Sequence, residues 1–327
     1  MSAKTAEGRW GVPLSVRSES IEGAEANANM TKMQGPKALI SVRPPQKLPS
    51  ASERRGIWMW RRGRKHFLEA SLSHPEEVLL GGLETGRVVK VGETVRREAG
   101  PWTATIQALL AHLNAKGFPC PRPLGLDDQG RESLSLLPGR ASNWPWPPAL
   151  IATEGAAKVG AFLRAYHQAV AGFAPPTPAV WRHGPQAPQP GETILHGDFG
   201  PHNLIWDGED VCGLIDFELA RPGDPMEDAG FAVVRAAQLR PDEQTRAPGF
   251  TTPPDRAARL AAFAEGYGCA RSALVDAARA APIGELERIV RLGGAGIEPW
   301  ASFRRRGIEG LARQELAWIE ANAGGLL

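Results

Sequence analysis

Two stretches of the chain carry most of the information about its fold: Thr193-Ile-Leu-His-Gly-Asp-Phe-Gly-Pro-His-Asn203 and Val211-Cys-Gly-Leu-Ile-Asp-Phe-Glu218. In each stretch a short apolar run, typical of a buried strand, is followed by polar side chains. Asp198 and Asn203 follow the first run, and Asp216 follows the second. Polar groups at the ends of buried strands need hydrogen-bonding partners or a function, so these three residues are the first candidates for a site.

Two carboxylates and one amide suit the chemistry of phosphoryl transfer. That reaction must orient an acceptor hydroxyl and remove its proton, and it uses Mg²⁺ to bridge the nucleotide oxygens and neutralise the developing charge. One aspartate can hold the hydroxyl while the asparagine and the other aspartate hold the metal. The alternative is that Asp198 and Asp216 are turn residues, because Asp favours turns.

The residues before these stretches predict a small unit of strands around one helix, over 75–138. From Glu76 onward, short β-type runs alternate with glycine turns. Pro101 then opens a helical stretch with one apolar face, and Gly117 closes it. Two more strand-like pieces follow before Pro138-Gly139.

The remaining residues, 139–327, predict a larger and mainly helical unit. Thr153 is the expected N-cap of a helix with a strong apolar stripe. A mixed unit followed by a helical one predicts an α+β protein with two lobes and a cleft between them. Beyond Ala220 the predicted helices follow one another closely, at 226–238, 255–267, 271–281, 284–292 and 307–321.

The first 74 residues differ from the rest in charge and pattern. They contain 13 Lys and Arg against 6 Asp and Glu, and they show no sustained period of 2 or 3.6. The basic aromatic run Trp58-Met59-Trp60-Arg61-Arg62-Gly63-Arg64-Lys65 could contact RNA or anionic lipid, and a solvated tail is the simpler interpretation. We therefore predict a basic, mostly disordered extension over 1–74.

Composition excludes several classes of protein. The 327 residues, 42% of them hydrophobic, can bury a sizeable core, which excludes a purely disordered or fibrous chain. No stretch approaches the ~20 apolar residues that span a bilayer, and the start lacks a secretion signal, so we expect a cytoplasmic protein. Three cysteines without CxxC spacing argue against a disulfide framework or a structural zinc site. Outside the basic extension 25 Lys and Arg face 30 Asp and Glu, so no nucleic-acid partner is expected.

The spacing of the polar residues resembles the catalytic elements of the kinase-like fold. His196, Asp198, Asn203 and the pair Asp216-Phe217 match a loop that reads His, any residue, Asp, four residues and Asn, followed later by Asp-Phe. The form HGDFGPHN, with Gly197 in place of Arg, looks like the aminoglycoside phosphotransferase family, and so does DFELARPGDPMEDAG after it. The resemblance covers roughly three quarters of the chain. It implies a protein-kinase-like two-lobe fold, with a small β-rich N-lobe and a larger, mainly helical C-lobe.

The resemblance also implies roles for the motif residues. In that family the loop aspartate is the catalytic base, and the asparagine and the second aspartate are magnesium ligands. Asp198 is therefore expected to be the base, with Asn203 and Asp216 holding Mg²⁺ and ATP or GTP donating the phosphate.

Four other polar residues near the motif have structural interpretations. His196 is expected to brace the loop rather than to move a proton, as buried polar groups commonly do. His202 is expected on the loop surface. Asp224 and Asp228 are expected to cap a helix and to fix the catalytic loop, because Asp favours helix N-termini.

The nucleotide side of the site has less specific signals. The turn at Gly81-Gly82 stands where a kinase-like fold covers the phosphates, although the full GxGxxG is absent and an ordinary hairpin fits as well. The strand that ends in Arg96-Arg97 takes the place of the phosphate-pairing lysine strand. Arg96 is the first candidate for that contact and Arg97 the alternative, and solvated strand charge is the simpler interpretation. Adenine or guanine would meet the backbone of Ser135, Leu136 and Leu137.

The helix at 101–116 departs from the family pattern, because its interior has no acid to pair with this arginine. Gln107 is the nearest polar substitute, and Glu84 or Glu98 could supply the carboxylate instead.

The acceptor is expected to be the hydroxyl of a small molecule. Seven residues, 217–223, separate Asp216 from Asp224, too few for the long activation segment of protein kinases. We expect a small-molecule O-phosphotransferase, and the alternative is a catalytically weak kinase-like binding protein of the immunity type. The candidates for acceptor contacts, each more often a solvated or core residue, are Glu218, Asp242, Glu243, Glu298 and Trp300.

Overall fold

The computed structural model describes residues 75–79, 88–142, 144–185 and 187–327, together with the backbone of two strands nearer the N-terminus. Those strands, β1 (Gly56–Arg61) and β2 (Arg64–Glu69), form an antiparallel hairpin that pairs Trp58 with Phe67. The sequence analysis predicted no strands within the extension over 1–74. The hairpin sequence is rich in aromatic residues, which favour strands even where no regular period of 2 extends over the whole segment.

An antiparallel sheet of five strands forms most of the first half of the described fold. Its strands are β3 (Glu77–Val78), β4 (Val89–Val91), β5 (Thr94–Arg97), β6 (Pro123–Leu126) and β7 (Glu132–Ser135). The order across the sheet is β3-β4-β5-β7-β6, so β5 lies at the centre. Its Arg97 is opposite Glu132 of β7, 35 residues further along the chain.

Helix α1 (Thr103–Ala115) lies between β5 and β6 in the chain and contacts β6. It buries Ile106, Leu109, Leu110 and Leu113 at spacings of three and four, as the predicted apolar face requires. Gly117 ends the helix with a φ of +75°, a left-handed conformation that glycine adopts without steric cost. The predicted unit of strands and one helix is therefore present.

The second half contains two small sheets and most of the helices. Strand β8 (Arg140–Ala141) pairs with β10 (Leu204–Asp207), which pairs with β11 (Asp210–Leu214). Strand β9 (Thr193–Leu195) pairs with β12 (Arg221–Gly223). The helices are α2 (Pro148–Ile151), α3 (Thr153–Val170), α4 (Pro225–Ala236), α5 (Arg256–Tyr267), α6 (Arg271–Arg288), α7 (Trp300–Arg305) and α8 (Ile308–Leu326).

Three details of the helices differ from the sequence prediction. Helix α6 continues through Pro282, where two helices were predicted, and the proline is buried in the packed interior. Helix α7 was not predicted, because its six residues are too few to show a period. Thr153 is the first residue of α3, whose N-cap is Ala152 without a side-chain hydrogen bond.

One large core holds these elements together. Helix α3 contributes Val159, Leu163 and Tyr166, and α5 packs closely against it. Gly160 permits that approach, since an added Cβ would lie 2.5 Å from the carbonyl oxygen of Phe263 on α5. None of the helices in the described part of the chain combines the length and hydrophobicity that a bilayer crossing requires.

Candidate active site

The loop residues that follow β9 are fixed by a buried carboxylate. Asp228, on α4, accepts the backbone N–H of His196 at 2.7 Å and of Gly197 at 3.0 Å. Asp224 is the N-cap of the same helix and accepts the N–H of Met226 at 2.8 Å. The structural interpretations of both aspartates agree with these contacts: one caps the helix, and the other fixes the loop.

His196 joins the two motif loops. Its Nε2 lies 3.0 Å from the carbonyl oxygen of Ile215, next to Asp216, and its Nδ1 accepts the backbone N–H of Asp198 at 3.3 Å. The ring is fully buried and packs edge-on to Phe217. Burial lowers the pKa of His196, so the imidazole is neutral with its proton on Nε2. These contacts hold the two motif loops together, which agrees with a structural role.

The side chain of Asp198 is held by two neighbours. Asn203 Nδ2 donates to Asp198 Oδ2 at 2.9 Å and to the backbone oxygen at 3.0 Å. His202 Nε2 lies 3.0 Å from the same Oδ2. Burial alone would raise the pKa of Asp198, but the charge and hydrogen bond of His202 outweigh it and hold that pKa below its ordinary value. Asp198 is therefore ionised at neutral pH.

The contact between His202 and Asp198 was missed by the sequence analysis, which expected His202 to be a surface residue. Its side chain is indeed about half exposed, at 48%. The two residues are four apart, however, and the short 3₁₀ turn Pro201–Asn203 brings the imidazole back to the carboxylate. The four-residue spacing between Asp198 and His202 is the sequence feature that could have predicted this contact.

Asp216 stands at the end of β11 in an unusual backbone conformation. Its φ and ψ are +69° and +63°, the left-handed region that non-glycine residues seldom occupy. Such strain is kept where the surroundings impose it, frequently at functional sites. The side chain is 43% exposed, and Oδ1 accepts from Arg97 Nη1 at 3.2 Å.

Arg97 is the cation of this site. Its Nε lies 2.5 Å from Glu132 Oε2, and its Nη1 lies 3.0 Å from Glu218 Oε1. Burial alone would lower the pKa of Arg97, but the charges of the three surrounding carboxylates outweigh it and raise that pKa. Glu218 also pairs with Arg182, so the carboxylate is shared between two guanidinium groups.

Arg96, the first candidate for the phosphate contact, lies on the other side of β5. Its Nε is 3.5 Å from Asp127, away from Asp216. Successive residues of a strand point to opposite faces, so only one of two adjacent arginines can reach the site. The structure places the alternative candidate, Arg97, beside Asp216.

The acid that pairs with Arg97 comes from a strand and not from helix α1. Glu132 is directly opposite Arg97 in the β5–β7 ladder and is 1% exposed. Gln107 on α1 approaches the same carboxylate, with Nε2 3.5 Å from Glu132 Oε1, and donates to Gly125 at 3.1 Å. Glu98, suggested as a substitute, is exposed, and Glu84 lies outside the described residues.

Two of the backbone N–H groups at the predicted nucleobase contacts are already engaged within the fold. The N–H of Ser135 donates to Arg122 and the N–H of Leu136 donates to Glu93, both at 2.9 Å. A purine at this connection would have to use other groups, such as those of Leu137. The glycine turn at Gly81-Gly82 lies outside the described residues.

The other acceptor candidates make structural contacts. Glu218 belongs to the site through Arg97, whereas Trp300 is buried against the ring of His183. The remaining three are paired or exposed on the surface: Asp242 pairs with Arg256, Glu298 pairs with Arg305, and Glu243 is exposed.

Gly197 shows why this loop has no arginine at the position that carries one in protein kinases. Its φ is +80°, and an added Cβ would lie 2.2 Å from the carbonyl oxygen of Leu219. No side chain fits there without moving the backbone.

Comparisons with known proteins identify the family of this chain. A model of the phosphotransferase enzyme family matches residues 176–273, which include both motif loops. The trifolitoxin immunity protein of Rhizobium leguminosarum bv. trifolii is 34% identical over 202 residues, covering 60% of this chain and 76% of the relative. The chain belongs to the phosphotransferase enzyme family.

Two further matches are a curated protein and a solved structure. A homoserine kinase of Rhodopseudomonas palustris (strain TIE-1) is 28% identical over 153 residues, 35% of this chain and 46% of the relative. The structure of an amicoumacin kinase in complex with AMP-PNP, Ca²⁺ and Ami superposes with a TM-score of 0.54 at 11% identity, covering 77% of this chain and 91% of the other. The predicted kinase-like α+β fold and the family resemblance are confirmed.

Proposed function

We propose that this phosphotransferase-family protein transfers the γ-phosphate of ATP or GTP to a hydroxyl of a small molecule. The observation that carries the proposal is that two hydrogen-bonded pairs of side chains with complementary roles lie on loops connected by His196. Asn203 bonds Asp198 at 2.9 Å, Arg97 bonds Asp216 at 3.2 Å, and His196 connects the two loops.

Asp198 is proposed as the group that receives the acceptor's proton. Both donors that the described residues supply go to Oδ2, so Oδ1 is the oxygen proposed to accept from the acceptor hydroxyl. Because its pKa is low, Asp198 is a weak base, and most of its effect comes from orienting the hydroxyl toward the phosphorus. The proton passes to the carboxylate late in the transfer, because the hydroxyl becomes acidic only as electron density moves from the attacking oxygen into the new bond to phosphorus.

The residues present fit a divalent metal. The nitrogen of the Asn203 amide is engaged by Asp198, so Oδ1 is the atom left to coordinate, and Asp216 keeps one oxygen that does not accept from Arg97. Oxygen ligands of this kind suit Mg²⁺, which would neutralise charge on the transferred phosphoryl group. Arg97 would bind a nucleotide phosphate through its planar fork of donors.

A small acceptor is favoured over a peptide because the segment between Asp216 and Asp224 is short and structured. It consists of the 3₁₀ turn Phe217–Leu219 followed by β12, which pairs with β9. There is also no room for a side chain at Gly197, so this position cannot carry the arginine that binds a phosphorylated activation segment in protein kinases.

The proposal is tested by two substitutions that separate chemistry from binding. Asp198→Ala should still bind MgATP or MgGTP while turnover falls about 10²- to 10⁴-fold, the usual contribution of a general base. Asp216→Asn should lose magnesium-dependent nucleotide binding in calorimetry, because an amide is a poorer ligand for a hard cation. Asp210→Asn, at a carboxylate 84% exposed on β11, is the matched control and should change neither. Retention of more than about a tenth of the turnover by Asp198→Ala would contradict the mechanism.

A second candidate function rests on the trifolitoxin immunity protein, the relative with 34% identity. In that case the chain would bind a small molecule or peptide and turn over little or no nucleotide. The turnover assay distinguishes the two functions, because a binding protein would show little or no turnover in the wild type, and Asp198→Ala would then have no activity to lose.

A further inference from the structure

The chain between α3 and β9 is docked against two helices. The backbone N–H of Val180 donates to Oγ1 of Thr105 on α1 at 2.9 Å. Three residues later, the ring of His183 packs edge-on against Trp300 on α7, with the ring centroids 4.7 Å apart. Both Thr105 and Trp300 are buried. Arg182 lies between these two anchor points in the chain, so its position is fixed by contacts on either side.

The guanidinium group of Arg182 is held by a ring and by a carboxylate. It lies 4.6 Å from the centroid of Trp102, the N-cap residue of α1, an arrangement in which arginine and an aromatic ring attract each other. Its Nη1 forms an ion pair with Oε2 of Glu218. Arg182 also faces a second acid: the hydrogen bond of Arg305 lowers the pKa of Glu298, and the charge of Arg182 adds to this effect.

Glu218 divides its two carboxylate oxygens between two arginines. Oε2 pairs with Arg182, and Oε1 lies 3.0 Å from Nη1 of Arg97. All three side chains are between 10% and 14% exposed, so water screens their charges little. Because the carboxylate bridges the two guanidinium groups, it can loosen its contact with one of them and still be neutralised by the other.

Arg97, the proposed phosphate ligand, has to change partners when a nucleotide binds. It is surrounded by three carboxylates, those of Glu132, Asp216 and Glu218. Glu132 is 1% exposed and lies opposite Arg97 in the β5–β7 ladder, so it stays in place. Asp216 is a proposed metal ligand. Glu218 needs another cation once Arg97 turns to a phosphate, because a buried carboxylate without a counter-ion is unfavourable. Arg182 already supplies that cation.

We propose that Arg182 is a positioning residue for the nucleotide: it keeps Glu218 neutralised, so that Arg97 can exchange this carboxylate for a phosphate. The inference rests on the proposed function and adds to its site a residue that lies outside both motif loops. Without Arg182, Glu218 has one cation fewer and holds Arg97 more firmly, so a phosphate competes less well for the same guanidinium. Nucleotide affinity therefore depends on Arg182, which acts through Glu218.

Calorimetry of the full chain with MgATP and with MgGTP tests this role. Arg182→Gln should raise the Kd of the nucleotide about tenfold, which is within the range of couplings inside one ion-pair network. Arg256→Gln is the matched control and should leave that Kd unchanged. Arg256 has the same environment away from the site: its side chain is 11% exposed, it pairs with Asp242 at 2.6 Å, and its guanidinium lies 4.6 Å from the centroid of Trp318.

A second substitution separates positioning from a merely structural role. Glu218→Gln removes the charge that Arg182 neutralises, so the double variant with Arg182→Gln should bind nucleotide within about threefold of Glu218→Gln alone. A structural defect at Arg182 would persist in the double variant. If urea unfolding shows that Arg182→Gln does not fold, Trp102→Leu applies the same test, because it removes the ring beside the guanidinium and leaves every charge in place. It should raise the Kd about threefold, and only while Glu218 is present.

These measurements separate the inference from the proposed function. An unchanged Kd in Arg182→Gln, or equally weak binding by this variant and the double variant, would overturn the role of Arg182, while phosphate transfer by the wild type would keep the proposed function. If the wild type binds MgATP or MgGTP but transfers no phosphate to any alcohol, the transfer reaction is wrong and the Kd values still decide the role of Arg182. If the wild type binds neither nucleotide, both are wrong.

Discussion

Replacing Gly197 with alanine tests whether the catalytic loop requires a residue without a side chain. Gly197 has a φ of +80°, and an added Cβ would lie 2.2 Å from the carbonyl oxygen of Leu219. Gly191 has a φ of +88°, but nothing lies within 4 Å of its added Cβ. The two substitutions share the backbone strain and differ in steric contact, so Gly191→Ala is the matched control.

The expected losses of stability follow from that difference. Alanine in the left-handed region costs about 1–2 kcal/mol, and the stiffer unfolded chain offsets about 0.4–1 kcal/mol of it, so Gly191→Ala should lose about 1 kcal/mol. Gly197→Ala adds an overpacking cost of about 1–3 kcal/mol, because Leu219 precedes β12 and the β9–β12 ladder resists its displacement. Its total should be about 2–4 kcal/mol.

Urea unfolding followed by tryptophan fluorescence measures both free energies of unfolding. Gly197→Ala should also reduce turnover, since the shift occurs one residue from Asp198, whereas Gly191→Ala should keep wild-type turnover. Equal destabilisation of the two variants, within about 0.5 kcal/mol, would refute the claim that Leu219 excludes a side chain from this position.

Three further predictions concern single groups. Arg97→Gln should weaken nucleotide binding in calorimetry at least about tenfold, whereas Arg96→Gln should change it little, because Arg96 pairs with Asp127 outside the site. Burial alone would raise the pKa of Asp228, but His167 and the N–H of His196 outweigh it and lower that pKa. The stability that the Asp228 carboxylate contributes is therefore present at neutral pH and is lost as pH falls through the lowered pKa. Asp228→Asn should be about 2–3 kcal/mol less stable than the wild type at pH 7, and its free energy of unfolding, measured with urea across pH 3–7, should depend less on acid. The Cys120 thiol is 3% exposed and burial raises its pKa to about 12, so iodoacetamide should label it only after unfolding, and labelling of the native protein would contradict its burial.

The residues that the sequence could identify are those fixed by local spacing. Asp198, Asn203 and Asp216 lie on two short segments whose strand–turn pattern places them at strand ends. The capping role of Asp224 also follows from local chemistry, since it precedes a proline at the first helical position. Asp198 and Asn203 bond each other across five residues, and Asp224 bonds Met226 across two, so these contacts follow from local sequence.

The pairing of Arg97 could not be read in the same way. Its partner Glu132 is 35 residues away and is brought opposite by the register of β5 and β7, which depends on the whole sheet. The choice between Arg96 and Arg97 depends on which face of β5 is turned inward. One signal was available: Arg97 shares its face with Val95, the apolar residue of that strand.

The carboxylates around Arg97 also determine how a nucleotide can bind. Arg97 is already compensated by Glu132, Asp216 and Glu218 before any phosphate arrives. A triphosphate entering alone would therefore meet more negative than positive charge, and each close pair of like charges near a protein surface costs about 4 kcal/mol at 4 Å. Glu132 is buried and stays with Arg97, whereas the half-exposed Asp216 is free to exchange its partner for a divalent cation. We therefore expect ATP to bind in calorimetry only together with Mg²⁺, and equal affinity for ATP with and without the metal would show that Asp216 keeps Arg97 as its partner in the nucleotide complex.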